Sequence, residues 1–488
     1  MRDRIIKSVF WLVWSRGALQ VLSLLTTLLV ARLLKPADYG LMALAGVWTG
    51  TISMLADMGL GAAIVQYRDI NERELNTCFW LTLSATLVGY AALYAAAPSL
   101  ATWFSSPDLT AVLRVAALGL PLIALRQVPD SLLRKRLLLD KTAQAEIIAT
   151  LSIIPVTLTL AWAGFGVWAL VGGFLIQNVA QDAALIWFCG WWPSLRVGSP
   201  RFRELLRYSR QALGARMSWS FYEQLDVFVL GRFVNDQSLG LYSMARQLAS
   251  MPLTKVSVVV NQLAGPVMAR LQQDEHAMRT WFLRMMRLVG CITIPLCIVL
   301  MLEADDMVAI ALSPKWAGMV PLLQLFAAGA LLRWLEVLLP PVLFARYRVQ
   351  FVFWWTMTLL ACMPFVFWAG AAWQGVFGVA LAWVTVYPMF VVWMARESIK
   401  ELGVTWKTLW QEVQPMVLVA AGMAVCILGV RLVLPGGDGA AQLGRLIAAC
   451  GIGFGVYASG IYWRGGPVAA EFWEVTGWLF RRPKTAVS

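Results

Sequence analysis

The chain has 488 residues, of which 60% are hydrophobic and only 14% charged, and its mean hydropathy is +0.69. Such a composition excludes a soluble globular domain, which needs more charge to cover its surface. The net charge of +13 does not indicate a nucleic-acid partner, because the basic residues sit in short segments between apolar runs and not in one patch.

Apolar runs near 20 residues recur along the whole length, each long enough to cross ~30 Å of hydrocarbon. Arg2, Arg4 and Lys7 precede a stretch reaching Leu34 that is too long for a signal-peptide core and has no small-residue cleavage site, so it reads as a retained first span. Fourteen spans follow from the hydropathy pattern: 8–34, 41–66, 77–98, 110–129, 142–163, 166–188, 208–233, 239–265, 282–303, 319–343, 350–370, 375–395, 414–434 and 443–463. The 25 Trp residues suit aromatic belts at the two interfaces. With the N-terminus inside, and with Arg32, Arg232, Arg431 and Arg445 counted with the outer segments they border and Arg210, Arg284 and Arg287 with the inner ones, 27 of the 40 Lys and Arg fall in inner segments, 6 in outer segments and 7 within spans. That bias predicts an inner-membrane protein with both termini cytoplasmic. Ser199-Pro200 and the aromatic tail after Trp463 suggest short interfacial helices. The seven cysteines form no C-x-x-C and read as small apolar side chains.

The sequence contains an internal repeat. Residues 29–41, LVARLLKPADYGL, align with 229–241, VLGRFVNDQSLGL, so that Arg32 meets Arg232 and Gly40 meets Gly240. Near an offset of 210, Leu113 to Gly119 parallels Leu323 to Gly329, and Arg136 falls on Arg346. Gly166-Val167-Trp168-Ala169 pairs with Gly375-Val376-Phe377-Gly378. A repeat of six spans is parallel, related by an axis along the membrane normal. The expected architecture is an all-α membrane protein with two six-helix lobes, 1–188 and 208–396. A linker at 189–207 joins them, and an added helix pair at 397–463 and a cytoplasmic tail at 464–488 follow. Arg32 and Arg232 read first as interfacial anchors, with substrate contact as the alternative.

ARLLKPADYGLMAL and LADMGLGAAIVQ resemble the first two helices of Wzx-type polysaccharide flippases. LSPKWAGMVPLLQLFAAGALLR with LFARYR resembles the tenth helix of their colanic-acid-exporter branch. The similarity extends over most of the chain in span number and order. It implies membership of the multidrug, oligosaccharidyl-lipid and polysaccharide exporter superfamily, a V-shaped two-lobed bundle and alternating access. It also implies an undecaprenyl-diphosphate-linked oligosaccharide as substrate. Bilayer lipids, and the polymerase and chain-length machinery of the same pathway, are the expected partners, and no cofactor is expected.

Charge inside the bilayer is the sharpest local signal. Arg16, Asp57, Arg114, Arg126, Asp182, Arg216, Glu223, Asp226, Arg246, Lys255, Arg333 and Glu336 fall within spans. Facing lipid at a helix centre, each costs about 2.5–3.5 kcal/mol, and together they would exceed a typical net stability of about 5–15 kcal/mol. Most must therefore pair, snorkel or face a wet cavity. Arg114, Arg126 and Asp182 lie near predicted span ends, where snorkelling is the default. Arg333 and Glu336, three apart, read as a structural pair. Arg216, Glu223 and Asp226 form either an intrahelical ion-pair ladder or a substrate-facing stripe. Pro252 lies between Arg246 and Lys255 and should kink their helix.

With the diphosphate implied by the resemblance, Arg16, Arg216, Arg246 and Lys255 are the expected phosphate contacts. Asp57, Glu223 and Asp226 are the expected carriers of a coupling proton. Trp14, Trp48, Trp219 and Tyr222 are candidates for stacking on sugars, set against the commoner role of packing in core or lipid. No G-x-x-x-x-G-K-[ST] is present, so transport must draw on an ion gradient or on substrate supply. The only His, His276, falls in an inner loop, and the outer loops are short, so neither an acyltransferase nor a polymerase fits. The rival readings are a multidrug–cation antiporter, a peptidoglycan-precursor flippase and, from another class, an enzyme or scaffold.

Overall fold

The structure is a computed structural model, and it describes residues 22–57, 60–67, 69–198, 222–434, 437 and 439–464. The described residues are helical throughout, with no strand among them. Two compact units divide the chain, Met1–Ser243 and Met244–Ser488.

The first unit holds α1 (Leu22–Leu33), α2 (Pro36–Asp57), α3 (Leu60–Gln66), α4 (Glu72–Trp103), α5 (Leu109–Ala116), α6 (Gly119–Lys135), α7 (Leu139–Trp162), α8 (Val167–Cys189) and α9 (222–233). It ends in the first turns of α10 (Asp236–Arg270). The second unit holds the rest of α10, then α11 (Glu275–Leu302), α12 (Ala304–Ala311), α13 (Val320–Arg333), α14 (Leu339–Ala345) and α15 (Val349–Gln374). It closes with α16 (Val376–Thr385), α17 (Tyr387–Glu401), α18 (Trp406–Val433) and α19 (Ala440–Arg464).

Ten helical segments among the described residues are long and apolar enough to cross a membrane. They coincide with predicted spans three to six and nine to fourteen. The other four predicted spans contain residues 8–21 and 208–221, which lie outside the described residues, or correspond to α2 and α10, which are not among the ten. The proposed interfacial helices at 199–207 and in the tail also lie outside them. Exposed tryptophans gather toward helix ends, at Trp103, Trp162, Trp187, Trp373, Trp406 and Trp463, as interfacial anchoring requires.

The repeat is visible in backbone geometry. Gly166 and Gly375 start α8 and α16 with φ/ψ of 58/−131° and 57/−128°. Leu137 and Tyr347, 210 apart, are both left-handed non-glycine residues, at φ 58° and 56°. Each follows an Arg, Arg136 or Arg346, that caps the preceding helix. Pro155 interrupts α7 where Pro364 interrupts α15. Such matches in turn, cap and proline placement require equivalent local folding at the two places.

The 29–41 and 229–241 motifs meet. A methyl group on Gly40 would fall on the backbone carbonyl of Asp236, and one on Gly240 on that of Pro36. Only glycine permits this backbone approach. Both helix starts are capped locally: Asp38 accepts from the Lys35 N–H at 2.8 Å, and Asn235 from the Ser238 N–H at 2.8 Å. Replacing either glycine by Ala should cost about 1–3 kcal/mol through overpacking, read as a lower melting temperature in detergent. Unchanged melting in both variants would contradict the close crossing.

The added hairpin, α18 and α19, packs on α11. At one end Arg287 pairs with Glu412 at 2.9 Å. At the other, Arg431 pairs with Asp305, and Arg445 and Gln442 bond both oxygens of Asp306. Glu303, fully buried beside them, receives no hydrogen bond from the described residues. Three carboxylates thus face two guanidiniums, and the cluster is neutral only with one proton. Burial pushes the Glu303 carboxyl from 4.5 to about 7; Arg431 opposes the shift, and Asp306 and Asp305 add to it. Because the folded state holds the proton more tightly, the contribution is complete below the ordinary value and is lost as pH rises toward 7. The protection factor of the α12 amides, with the intrinsic pH dependence of exchange divided out, should therefore rise between about pH 8 and about pH 5, and Glu303→Gln should remove that rise. An equal pH response in the variant would refute the assignment.

Candidate functional site

Besides the cluster at α12, two polar clusters among the described residues lie inside the units, and both are built from residues the hydropathy pattern places in spans. The larger is in the second unit. Its helices break there: α13 stops at Arg333, a single 3-10 turn at Glu336–Leu338 follows, and Pro340-Pro341 starts α14. Likewise α16 stops at Thr385, and Tyr387-Pro388 starts α17. Interrupted helices at membrane depth persist only where protein or a wet cavity satisfies the freed backbone groups. Arg333 and Tyr387 lie ten or more residues from both ends of helical segments long and apolar enough to cross a membrane, and Arg246 lies ten residues into α10.

The Arg333 guanidinium lies 4.9 Å from the Trp383 ring centroid and 4.3 Å from that of Tyr387. Arg246 reaches the same Trp383 ring at 5.4 Å. Glu336 accepts from Arg333 Nε at 3.1 Å and from the Tyr387 hydroxyl at 2.5 Å. Trp383 and Tyr387 are buried, with ring centroids 5.0 Å apart. Among these five side chains two are positive and one is negative. Aromatic faces hold guanidiniums without neutralising them, and the planar guanidinium fork matches the geometry of phosphate oxygens.

The second cluster is in the first unit. Arg126 Nη1 donates to Asn178 Oδ1 at 2.7 Å and Gln181 Oε1 at 3.0 Å, with Asp182 Oδ1 at 3.8 Å. Asp182 is only 3% exposed. This corrects the snorkelling expectation for Arg126 and Asp182: α6 and α8 pack together, and the pair turns inward between them. Arg114 instead lies over the Tyr94 ring at 4.3 Å.

The repeat relates the two clusters. An offset of 210 carries Arg126 to Glu336, and 209 carries Asn178 to Tyr387. Packing supports the register, since Gly119 sits against Phe174 and Gly329 against Trp383 and Val384. The equivalent contact is therefore kept with its polarity reversed: cation to amide oxygen in the first unit, hydroxyl to carboxylate in the second.

Arg16, Arg216, Trp14 and Trp219 lie outside the described residues, as do the side chains of Asp57 and Lys255. Of the proposed stripe, Glu223 is exposed whereas Asp226 is fully buried, accepting from the Tyr242 hydroxyl at 2.6 Å and the Val227 N–H at 2.8 Å. Tyr222 is buried, and Trp48 packs edge-on to Phe228 at 5.9 Å. The helix α10 continues through Pro252. Trp383, Tyr387, Asn178 and Gln181 were not singled out from sequence; extending the repeat past Gly166/Gly375 would have placed Asn178 on Tyr387.

Interrupted apolar helices that carry interior arginines fit the class of polytopic transporters. The chain belongs to the polysaccharide biosynthesis protein family, whose model matches residues 29–321, more than half of it. It is 25% identical to the lipopolysaccharide biosynthesis protein WzxC of Escherichia coli, over 72% of each chain. It is 24% identical to the succinoglycan biosynthesis transport protein ExoT of Rhizobium meliloti, over 72% of this chain and 71% of that one. In fold it is similar to a lipid II flippase, MurJ, in an inward closed conformation, with a TM-score of 0.74 at 14% identity, covering 95% of this chain and 99% of that one.

Tyr387→Phe removes a buried donor from Glu336 and should destabilise the protein by about 1–3 kcal/mol, measured by thermal melting. A neutral result would mean that Glu336 is solvated and the cluster more open than the geometry shows.

Proposed function

We propose that the protein is a flippase for lipid-linked oligosaccharides, moving undecaprenyl-diphosphate-linked repeat units from the cytoplasmic to the periplasmic leaflet for polysaccharide assembly. The observation that carries this reading is the pair of guanidiniums, Arg246 and Arg333, sharing Trp383 at mid-depth where two helices break. A diphosphate crossing the bilayer needs cations there, and discontinuous helices are how transporters place them. The membership and the relatives' names support the polysaccharide pathway.

Fourteen spans in two six-helix lobes with an added pair, both termini cytoplasmic in the inner membrane, complete the proposal, with alternating access driven by an ion gradient. Arg16, Arg216 and Lys255 join Arg246 as diphosphate contacts; Asp57, Glu223 and Asp226 are coupling carboxylates. Trp14, Trp48, Trp219 and Tyr222 are sugar contacts. The polymerase and chain-length machinery receive the product. Chemistry is limited to binding and release, and no bond in the substrate is broken.

In proteoliposomes carrying a fluorescent undecaprenyl-diphosphate oligosaccharide, Arg333→Ala and Arg246→Ala should each slow flipping at least roughly tenfold, the loss of one charge-assisted phosphate contact. Protein yield should be unchanged. Wild-type rates in both variants would sink the cluster as the diphosphate site.

A further inference from the structure

Asp182 is out of keeping with its surroundings. It is buried, and neither carboxyl oxygen receives a hydrogen bond from any described residue. Its natural partner is 3.8 Å away, beyond hydrogen-bond range, because Arg126 Nη1 is already directed at two neutral amides, Asn178 and Gln181. An ionised carboxylate buried without a donor is strongly disfavoured, and a true interior ion pair closes to about 2.7–2.9 Å. The arrangement is the one a neutral carboxylic acid adopts beside a guanidinium that has found other acceptors.

The charged groups of the neighbouring helices do not change this. From α6, Arg126 acts on Asp182, with Asp130 beyond it bonded to Arg134. From α7, Asp140 and Glu146 are exposed, and Lys141 lies over the Phe188 ring at 5.0 Å. From α5, Arg114 lies over Tyr94; from α2, Asp38 is bonded to the Lys35 N–H, and the side chain of Asp57 is outside the described residues.

We infer that Asp182 is a proton-binding site of the first unit, with Arg126 as the latch that reads its state. The inference rests on the transport reading above and names its coupling ion. With the proton bound, the carboxyl is neutral and Arg126 stays on Asn178 and Gln181. When the O–H bond breaks and the proton leaves to water, the carboxylate regains its charge and draws Arg126 across, releasing the two α8 amides. A proton fits better than a metal cation: a guanidinium stands beside a single carboxylate, and the described residues hold no metal-ligating group of three. The second unit has no counterpart, since Val391 occupies the equivalent position 209 residues on.

The test uses full-length wild type and Asp182→Asn, which mimics the protonated acid, in proteoliposomes with the same fluorescent lipid, with and without an imposed proton gradient. Wild-type flipping should accelerate with the gradient, and the variant should flip at a rate the gradient does not change, with unaltered melting. Infrared difference spectra across pH should show a protonated-carboxyl band in wild type that is missing from the variant. Gradient-driven flipping equal in both proteins, gradient-insensitive wild-type flipping, or absence of that band from wild type would overturn the proton site. Wild type that moves no lipid under any condition would instead overturn the transport reading, and the infrared comparison would still decide the site.

Discussion

Hydrocarbon offers no partner to a charge, so every guanidinium and carboxylate inside a membrane helix must find one in the protein or in trapped water. In this chain that constraint organises both interiors. Arg333 meets Glu336 and two aromatic faces, Arg246 shares one of those faces, and Arg126 is satisfied by the amides of Asn178 and Gln181. The helices that carry these groups bend to the same demand: α13 and α16 stop where the second cluster forms. Their freed backbone groups need a polar neighbourhood, and the cluster supplies it.

Recurrence of turns and caps at offsets near 210 relates two clusters of opposite polarity, one in each unit. The turn at Gly166 recurs at Gly375, and the left-handed Leu137 recurs at Tyr347. Between those fixed points the side chains were free to diverge. Arg126 in one copy stands where Glu336 stands in the other, and Asp182 where Val391 does. The first copy sets an arginine beside an unbonded acid; the second gives a carboxylate one arginine and a tyrosine hydroxyl, with a second arginine on the neighbouring Trp383 ring. The added hairpin α18–α19 lies outside the duplication and is fastened by its own ion pairs to α11 and α12.

Hydropathy made the spans legible, because twenty apolar residues in a row have few other uses, and the ten helices long enough to cross coincide with predicted ones. The repeat was legible where glycines fix a turn or a crossing, as at Gly40, Gly166, Gly240 and Gly375. The Arg333–Glu336 pair followed from spacing alone, since residues three apart share a helix face. Partners from distant helices did not. Nothing local ties Arg126 to Asn178, or Trp383 to both Arg246 and Arg333; helix packing sets those contacts. Proximity to a span end misled for Asp182, because snorkelling needs an open path to water and α6 closes it. Helix spacing alone did not show that Tyr242 draws Asp226 into the core while Glu223 stays exposed.

If the paired arginines of the second unit are what carries a diphosphate through the bilayer, the lipid should be found on them. The most direct measurement is an electron cryomicroscopy structure of the protein in lipid nanodiscs with undecaprenyl-diphosphate oligosaccharide bound. Phosphate density within hydrogen-bond reach of both Arg246 and Arg333, against the Trp383 face, is the predicted result. A diphosphate held elsewhere, with the Arg333–Glu336–Tyr387 contacts intact and no phosphate near them, would contradict it.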